Sequence, residues 1–167
     1  MRVGVNAEAG EVIAQLGLVP LPREGGFFRQ SWVSPARLAD GRAAASAIWY
    51  LLTPGNFSAL HRLHGEERWH FFEGDPVEHV QFGPTAGAAR VTVLGDDPAL
   101  GHHPELVVPG GAWQGARLGR CARPRAYALV GCTVQPAWDE REFELGERAA
   151  LGREFPAEHA WIAALMR

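Results

Sequence analysis

The order of apolar and polar positions divides the chain into many short runs bounded by glycine and proline. Residues 27–33 (FFRQSWV), 44–53 (AASAIWYLLT) and 57–63 (FSALHRL) predict three strands. A tight turn at 64–66 leads to a fourth at 68–73. Strands over 77–82 and 89–94 follow, with a Gly, Pro, Thr and Ala loop between them. After a loop at 95–104 come a short strand at 105–108, stopped by Pro109, Gly110 and Gly111, and two more at 112–118 and 126–134. Helical spacing occurs only near the ends. In 7–18 it places Ala9, Val12, Ile13 and Leu16 on one side, and Gly17, Pro20 and Pro22 end it. In 157–166 (AEHAWIAALM) a second helix begins after Pro156, where proline costs little.

Short strands flanked by terminal helices predict an all-β barrel or sandwich. The βαβ alternation of a parallel-sheet protein is missing, as are a GxGxxG turn, a P-loop and a G-x-S-x-G elbow. A length of 167 residues suits a single domain over 1–167 with one sizeable core.

Composition narrows the function classes. All 16 basic residues are arginine, the net charge is −3, and no basic stripe forms, so nucleic acid is not an expected partner. With no lysine, Schiff-base catalysis is excluded. Cys121 and Cys132 follow neither C-x-x-C nor zinc-finger spacing and read as two thiols in a reducing cytoplasm. Neither a signal peptide nor a membrane-spanning run is apparent, so the expectation is a soluble cytoplasmic protein.

Chemistry concentrates in residues 55–74 (GNFSALHRLHGEERWHFFEG). This stretch holds His61, His64 and His70, the adjacent Glu66 and Glu67, and the aromatic Trp69, Phe71 and Phe72. Its spacing, G-x5-H-x-L-x3-E-x6-G over Gly55, His61, Leu63, Glu67 and Gly74, resembles the first motif of the cupin superfamily. The second motif, P-x-G-x2-H, has a counterpart at 109–114 that ends in Gln114. The phrases EGGFFRQ (24–30), SAIWYLLTPGNFSALHRL (46–63), EERWHFFEGDPVE (66–78), LVVPGGAWQGA (106–116) and ALVGCTVQPAWDEREFEL (128–145) are similar to the cupin 5 family. That resemblance implies a cupin jelly-roll β-barrel with short flanking helices, a homodimer, and a pocket at one barrel mouth. Leu21 stands where the family often has a histidine before Glu-Gly-Gly.

Metal-binding cupins use three histidines and a glutamate. Here His61 and Glu67 match, while Leu63 and Gln114 occupy the other two places. The candidate ligands for a divalent ion are therefore His61, Glu67, His70 and Gln114. Strand alternation sets 67 and 70 on opposite faces, so His70 would need a bulge near Arg68 to join.

Without a metal, the same groups suit proton transfer. A neutral imidazole beside a carboxylate is a fit base near neutral pH. By analogy with cupin sugar epimerases, His61 is the candidate base, Glu67 its orienting partner, and Tyr127 or Tyr50 the acid. Trp49, Phe57, His70, Trp113 and Gln114 are the candidate ligand-binding residues, with Trp113 as a pocket wall. The expected ligand is a small polar or anionic molecule, sugar-like or nucleotide-like. Three readings follow: an epimerase-like or isomerase-like enzyme, a metal-dependent cupin enzyme, and a non-catalytic small-molecule-binding module. A bland alternative for His61 is a satisfied core histidine.

Overall fold

The computed structural model describes residues 5–83, 87–122 and 124–166, and among them the chain forms two antiparallel sheets and three short helices. Helix α1 (Ala7–Leu16) comes first. It is followed by β1 (Val19–Pro20), β2 (Phe27–Val33), β3 (Ser46–Leu52), β4 (Ser58–Leu63) and β5 (Glu66–Gly74). Next are β6 (Val77–Gly83), β7 (Gly87–Leu94), β8 (Glu105–Val108), β9 (Trp113–Leu118), β10 (Ala128–Gln135) and β11 (Phe143–Leu145). Helices α2 (Arg148–Glu154) and α3 (His159–Ala164) follow. The first sheet has the order β1-β2-β3-β10-β5-β8, the second β11-β4-β9-β6-β7. Strands distant in sequence are neighbours in both sheets, as in a jelly roll.

Period-two patterning builds the interior. On β3, Ser46, Tyr50 and Leu52 are buried, and alternate residues point the other way. Tyr50, Leu52, Trp69, Val77, Leu94, Leu106, Val108, Ala128 and Val130 form the main core cluster. Burial of this apolar surface is the main force holding the fold.

Helices cover the backs of the sheets. Asn6 caps α1 by accepting the Ala9 amide at 2.8 Å, and Gly17 ends it in the left-handed region at φ 61°. That cap stops the helix at Leu16, short of the expected 18. Ala9 then packs with Leu51, Tyr127 and Leu129 behind the first sheet. At the other end, Leu151, Ile162, Leu165 and Met166 pack on Leu60, Val80, Phe82 and Trp113 of the second.

Besides the two-residue β1, two elements lie outside the sequence expectation. Helix α2 is a seven-residue helix whose amides Ala149 and Ala150 are capped by the Glu147 carboxylate. Strand β11 is three residues long and forms by pairing with β4, Phe143 opposite Leu63 and Leu145 opposite His61. Neither is long enough for its own periodicity to announce it. The expected helix at 157–166 divides into a 3-10 turn at Pro156–Glu158 and then α3.

Strand β2 is not fully an edge strand, since β1 pairs with its first two residues, Phe27 and Phe28. No disulfide joins the cysteines. Cys132 is buried in the core, while Cys121 is exposed with its thiol 3.3 Å from Asp75 Oδ1. Among the described residues no helix is long and apolar enough to cross a membrane.

Candidate functional site

A cavity of about 470 Å³ opens along the inner face of the first sheet and is closed on one side by β4 and β11. Alternation supplies its walls: Phe28 and Gln30 from β2, Ile48 and Tyr50 from β3, Glu67 and Trp69 from β5, Cys132 and Val134 from β10. The second sheet contributes His61, Leu63 and Phe143. The turn at 21–24 and the segment around Trp138 and Glu140 form the remainder. The lining is largely aromatic and aliphatic, with a few polar groups, as small-molecule pockets are.

His61 is 2% exposed and stacks on Phe143, ring centroids 5.4 Å apart. Its Nδ1 lies 2.8 Å from the Ala59 carbonyl oxygen. A carbonyl can only accept, so Nδ1 carries the ring proton and Nε2 holds the lone pair. Among the described residues no hydrogen bond engages Nε2.

Glu67 is 6% exposed. Burial raises its pKa above the usual carboxylate value, and the nearby His61 and the hydrogen bond from Gln114 oppose that rise. Gln114 Nε2 donates to Glu67 Oε2 at 2.6 Å. Gln114 Oε1 accepts from Trp69 Nε1 and from His79 Nε2, each at 3.1 Å. The indole can only donate, so the amide has one possible orientation, nitrogen towards Glu67 and oxygen away. His79, wholly buried, is held neutral: burial pushes its pKa down to about 4. Its proton sits on Nε2, and its Nδ1 has no partner among the described residues.

Beside these groups, Tyr50 donates to the Gly25 carbonyl at 2.9 Å, and Ser58 Oγ donates to Glu24 Oε1 at 2.8 Å. Burial first, and then Glu24, raises the Tyr50 pKa well above that of a free phenol, so the hydroxyl stays protonated. Burial likewise keeps the Cys132 thiol protonated. The turn that carries Glu24 is tight. Gly26 has φ 72°, and a Cβ there would stand 2.6 Å from the Tyr50 ring. Arg23 adopts φ 68°, a costly conformation for a residue with a side chain, and its guanidinium lies 5.3 Å over the Phe143 ring.

The structure unites some of the sequence candidates and separates others. His61 and Glu67 share the cavity, and Gln114 stands directly behind Glu67. His70 does not line the cavity. Pairing from Glu66 to Phe71 runs without interruption against β10, and the bulge falls at Phe72 instead of near Arg68. His70 therefore keeps its outward parity and meets Glu105 across 3.5 Å. Tyr127 also lies elsewhere. It packs behind the first sheet, donates to Glu73 at 2.9 Å and contacts Arg125, and burial with Glu73 pushes its pKa up to about 12. Trp49 faces outward, packed on Phe72 with centroids 5.2 Å apart. Phe57 and Trp113 pack with the cluster under the C-terminal helices, and Arg62 covers the Trp113 ring at 4.7 Å. Alternation explains Trp113: with Gln114 inward, its neighbour must point out.

Glu24, Trp69, His79 and Phe143 join the site or its hydrogen-bond network without being candidates from the sequence, and Tyr50 stands there in place of Tyr127. Parity with Glu67 along β5 marks Trp69, and parity along β3 marks Tyr50 with Ile48. Glu24 lies in a turn, where no periodicity points to it.

The donor set does not fit a divalent ion. Leu63 has no donor atom, and Gln114 turns its oxygen towards Trp69 and His79. His61 and Glu67 remain, whereas catalytic zinc sites use three protein ligands. Among the described residues no three His, Cys, Asp or Glu side chains converge as ligands.

Comparison with known proteins agrees with this architecture. The sequence profile of the cupin 5 family, described as Cupin superfamily (DUF985), matches residues 10–146. A protein of Shewanella oneidensis is 33% identical, with a TM-score of 0.87 over 97% of this chain and 98% of that one. A hypothetical protein from Leishmania major is 32% identical, with a TM-score of 0.86 over 95% of this chain and 98% of that one. Oxalate decarboxylase of Bacillus subtilis shares the fold at 13% identity, with a TM-score of 0.55 over 89% of this chain and 37% of that one. No curated protein matches the chain.

Proposed function

The chain belongs to the cupin 5 family of the cupin superfamily, and on that premise we propose that its cavity binds a small polar molecule and transfers a proton on it, with His61 as the base. One observation carries this reading: the Ala59 carbonyl fixes the His61 proton on Nδ1, so the ring lining the cavity offers a lone pair on Nε2. A buried carboxyl of raised pKa beside that imidazole suits proton exchange, because the pair can hold a proton on either partner. Glu67 orients and stabilises the imidazolium formed on proton uptake. Tyr50, protonated and in the same lining, takes the place of Tyr127 as the candidate acid. The ligand brings the O–H or N–H donors that these acceptors need.

The test is solvent exchange. The protein is incubated in D2O with a library of small polar metabolites, and deuterium entering a C–H position is read by NMR. Incorporation by the parent and none by His61→Ala supports the proton-transfer reading. Binding without incorporation supports the non-catalytic module instead.

A homodimer belongs to the same proposal. Trp32 and Phe72 on the first sheet are each 48% exposed, apolar surface that pairing with a second copy would cover. Light scattering at micromolar concentration should give twice the 18.2 kDa chain mass. A monomer would remove that part of the reading.

A further inference from the structure

The cavity lining contains three carboxylates, Glu24, Glu67 and Glu140, against one guanidinium, Arg23. Arg23 is laid on the Phe143 ring. An anionic ligand would therefore meet a wall of its own sign. The inner polar groups are also mostly acceptors. His61 Nε2 has no partner among the described residues, and Glu67 accepts from Gln114 through Oε2 with the Trp69 indole close by. Both residues are more than nine-tenths buried and line the cavity. Glu24 commits Oε1 to Ser58, and a carboxylate oxygen accepts more than one donor. Five aromatic residues, Phe28, Tyr50, Trp69, Trp138 and Phe143, share the rest of the wall with aliphatic side chains and with Gln30, Ser46 and Cys132.

Buried acceptors and aromatic ring faces in one lining are complementary to one ligand chemistry. We infer that the cavity selects a small organic cation, a primary amine on an apolar body, with its ammonium group between Glu24, Glu67 and His61. An ammonium group has three N–H donors and no acceptor, so it matches a wall of acceptors. The negative ring faces favour the same charge. A neutral polyol would satisfy the acceptors and leave the carboxylate charge unmatched. The inference deepens the proposed function by naming the substrate class of the same site. It rests on that reading only for the cavity's being a binding site, since amine binding requires no proton transfer.

Three probes of nearly equal shape separate the charges: phenethylamine, 2-phenylethanol and 3-phenylpropanoate. Each is titrated into the full chain at pH 7 and followed by calorimetry and by amide chemical shifts. The expected result is binding of the amine at least about tenfold tighter than the alcohol, with the carboxylate weakest. Glu24→Gln and Glu67→Gln should each weaken the amine by about tenfold and the alcohol by much less. Glu140→Gln, at the rim, repeats the measurement with a smaller loss should an inner variant fail to fold. Equal or stronger binding of the alcohol or the carboxylate overturns the inference, as does absence of amine binding at millimolar concentration. Amine binding without solvent exchange would sink the proton-transfer proposal alone. Exchange on a neutral or anionic compound would sink the cation inference alone.

Discussion

The amide nitrogen of Gln114 stands 2.6 Å from Glu67 Oε2, where a metal-binding cupin would place an imidazole facing its ion. The contact replaces a ligand with a hydrogen-bond donor. It also joins the buried carboxyl to two further buried groups, because the Gln114 oxygen serves Trp69 and His79.

Gln114→Leu should therefore be among the costliest single substitutions in the molecule. It leaves the Trp69 and His79 donors and one Glu67 oxygen without partners in the interior. Each unsatisfied group costs about 1–3 kcal/mol, and the network is not additive. We expect a loss of at least about 3 kcal/mol in urea denaturation. A loss below about 1 kcal/mol would show that the network adds little.

The same network gives stability two opposed pH dependences. His79 has a folded pKa of about 4 against an ordinary 6.5, so its contribution is complete above 6.5 and is lost as pH falls towards 4. The size of that shift corresponds to about 3 kcal/mol. Glu67 behaves oppositely. Its folded pKa lies above the ordinary 4.5, so the native state holds a proton that the unfolded chain releases, and stability falls as pH rises from 4.5 through the folded value. His79→Phe should flatten the acid side of the melting-temperature profile. Glu67→Gln should gain on the parent as pH rises above 4.5. Parallel profiles for all three proteins would contradict both assignments.

Two substitutions should create a metal site. Leu63→His with Gln114→His adds two imidazoles to His61 and Glu67, completing the donor pattern of metal-binding cupins. Elemental analysis of tag-free protein, after incubation with manganese, iron, nickel and zinc, should show close to one ion per chain in the double variant. The parent should hold far less. Near-stoichiometric metal in the parent, lost in His61→Ala, would overturn the fit drawn from the Gln114 orientation.

The turn that carries Arg23 and Glu24 depends on Gly26. A methyl group there would meet the Tyr50 ring at 2.6 Å and the Leu51 carbonyl oxygen at 2.9 Å, at φ 72°. Gly26→Ala should cost about 1–3 kcal/mol by overpacking and backbone strain. Because Tyr50 and Glu24 line the cavity, the variant should also bind phenethylamine more weakly than Gly115→Ala, which crowds Leu165 and Leu60 on the far side of the second sheet. Unchanged stability would mean that the turn opens readily.

The strands were legible in the chain because they are short, apolar and bounded by glycine and proline, as at residues 27–33 and 105–108, where expectation and structure share both ends. The pairing of His61 with Glu67 was legible in motif spacing, and strand parity set 67 and 70 on opposite faces, but only the structure showed that no bulge near Arg68 turns His70 inward. Tertiary structure decided the rest. Strand β11 exists because β4 offers it an edge, and its Phe143 then supplies a cavity wall. Glu24 enters the site by a turn, and Tyr50 replaces Tyr127 because β3 faces the cavity while Tyr127 lies beneath α1. The direction of the Gln114 amide needed Trp69 and His79, which are 45 and 35 residues away in sequence. Parity along one strand is a local property that a sequence carries. Which faces meet across two sheets, and which donor turns an amide, depend on long-range packing that no local pattern encodes.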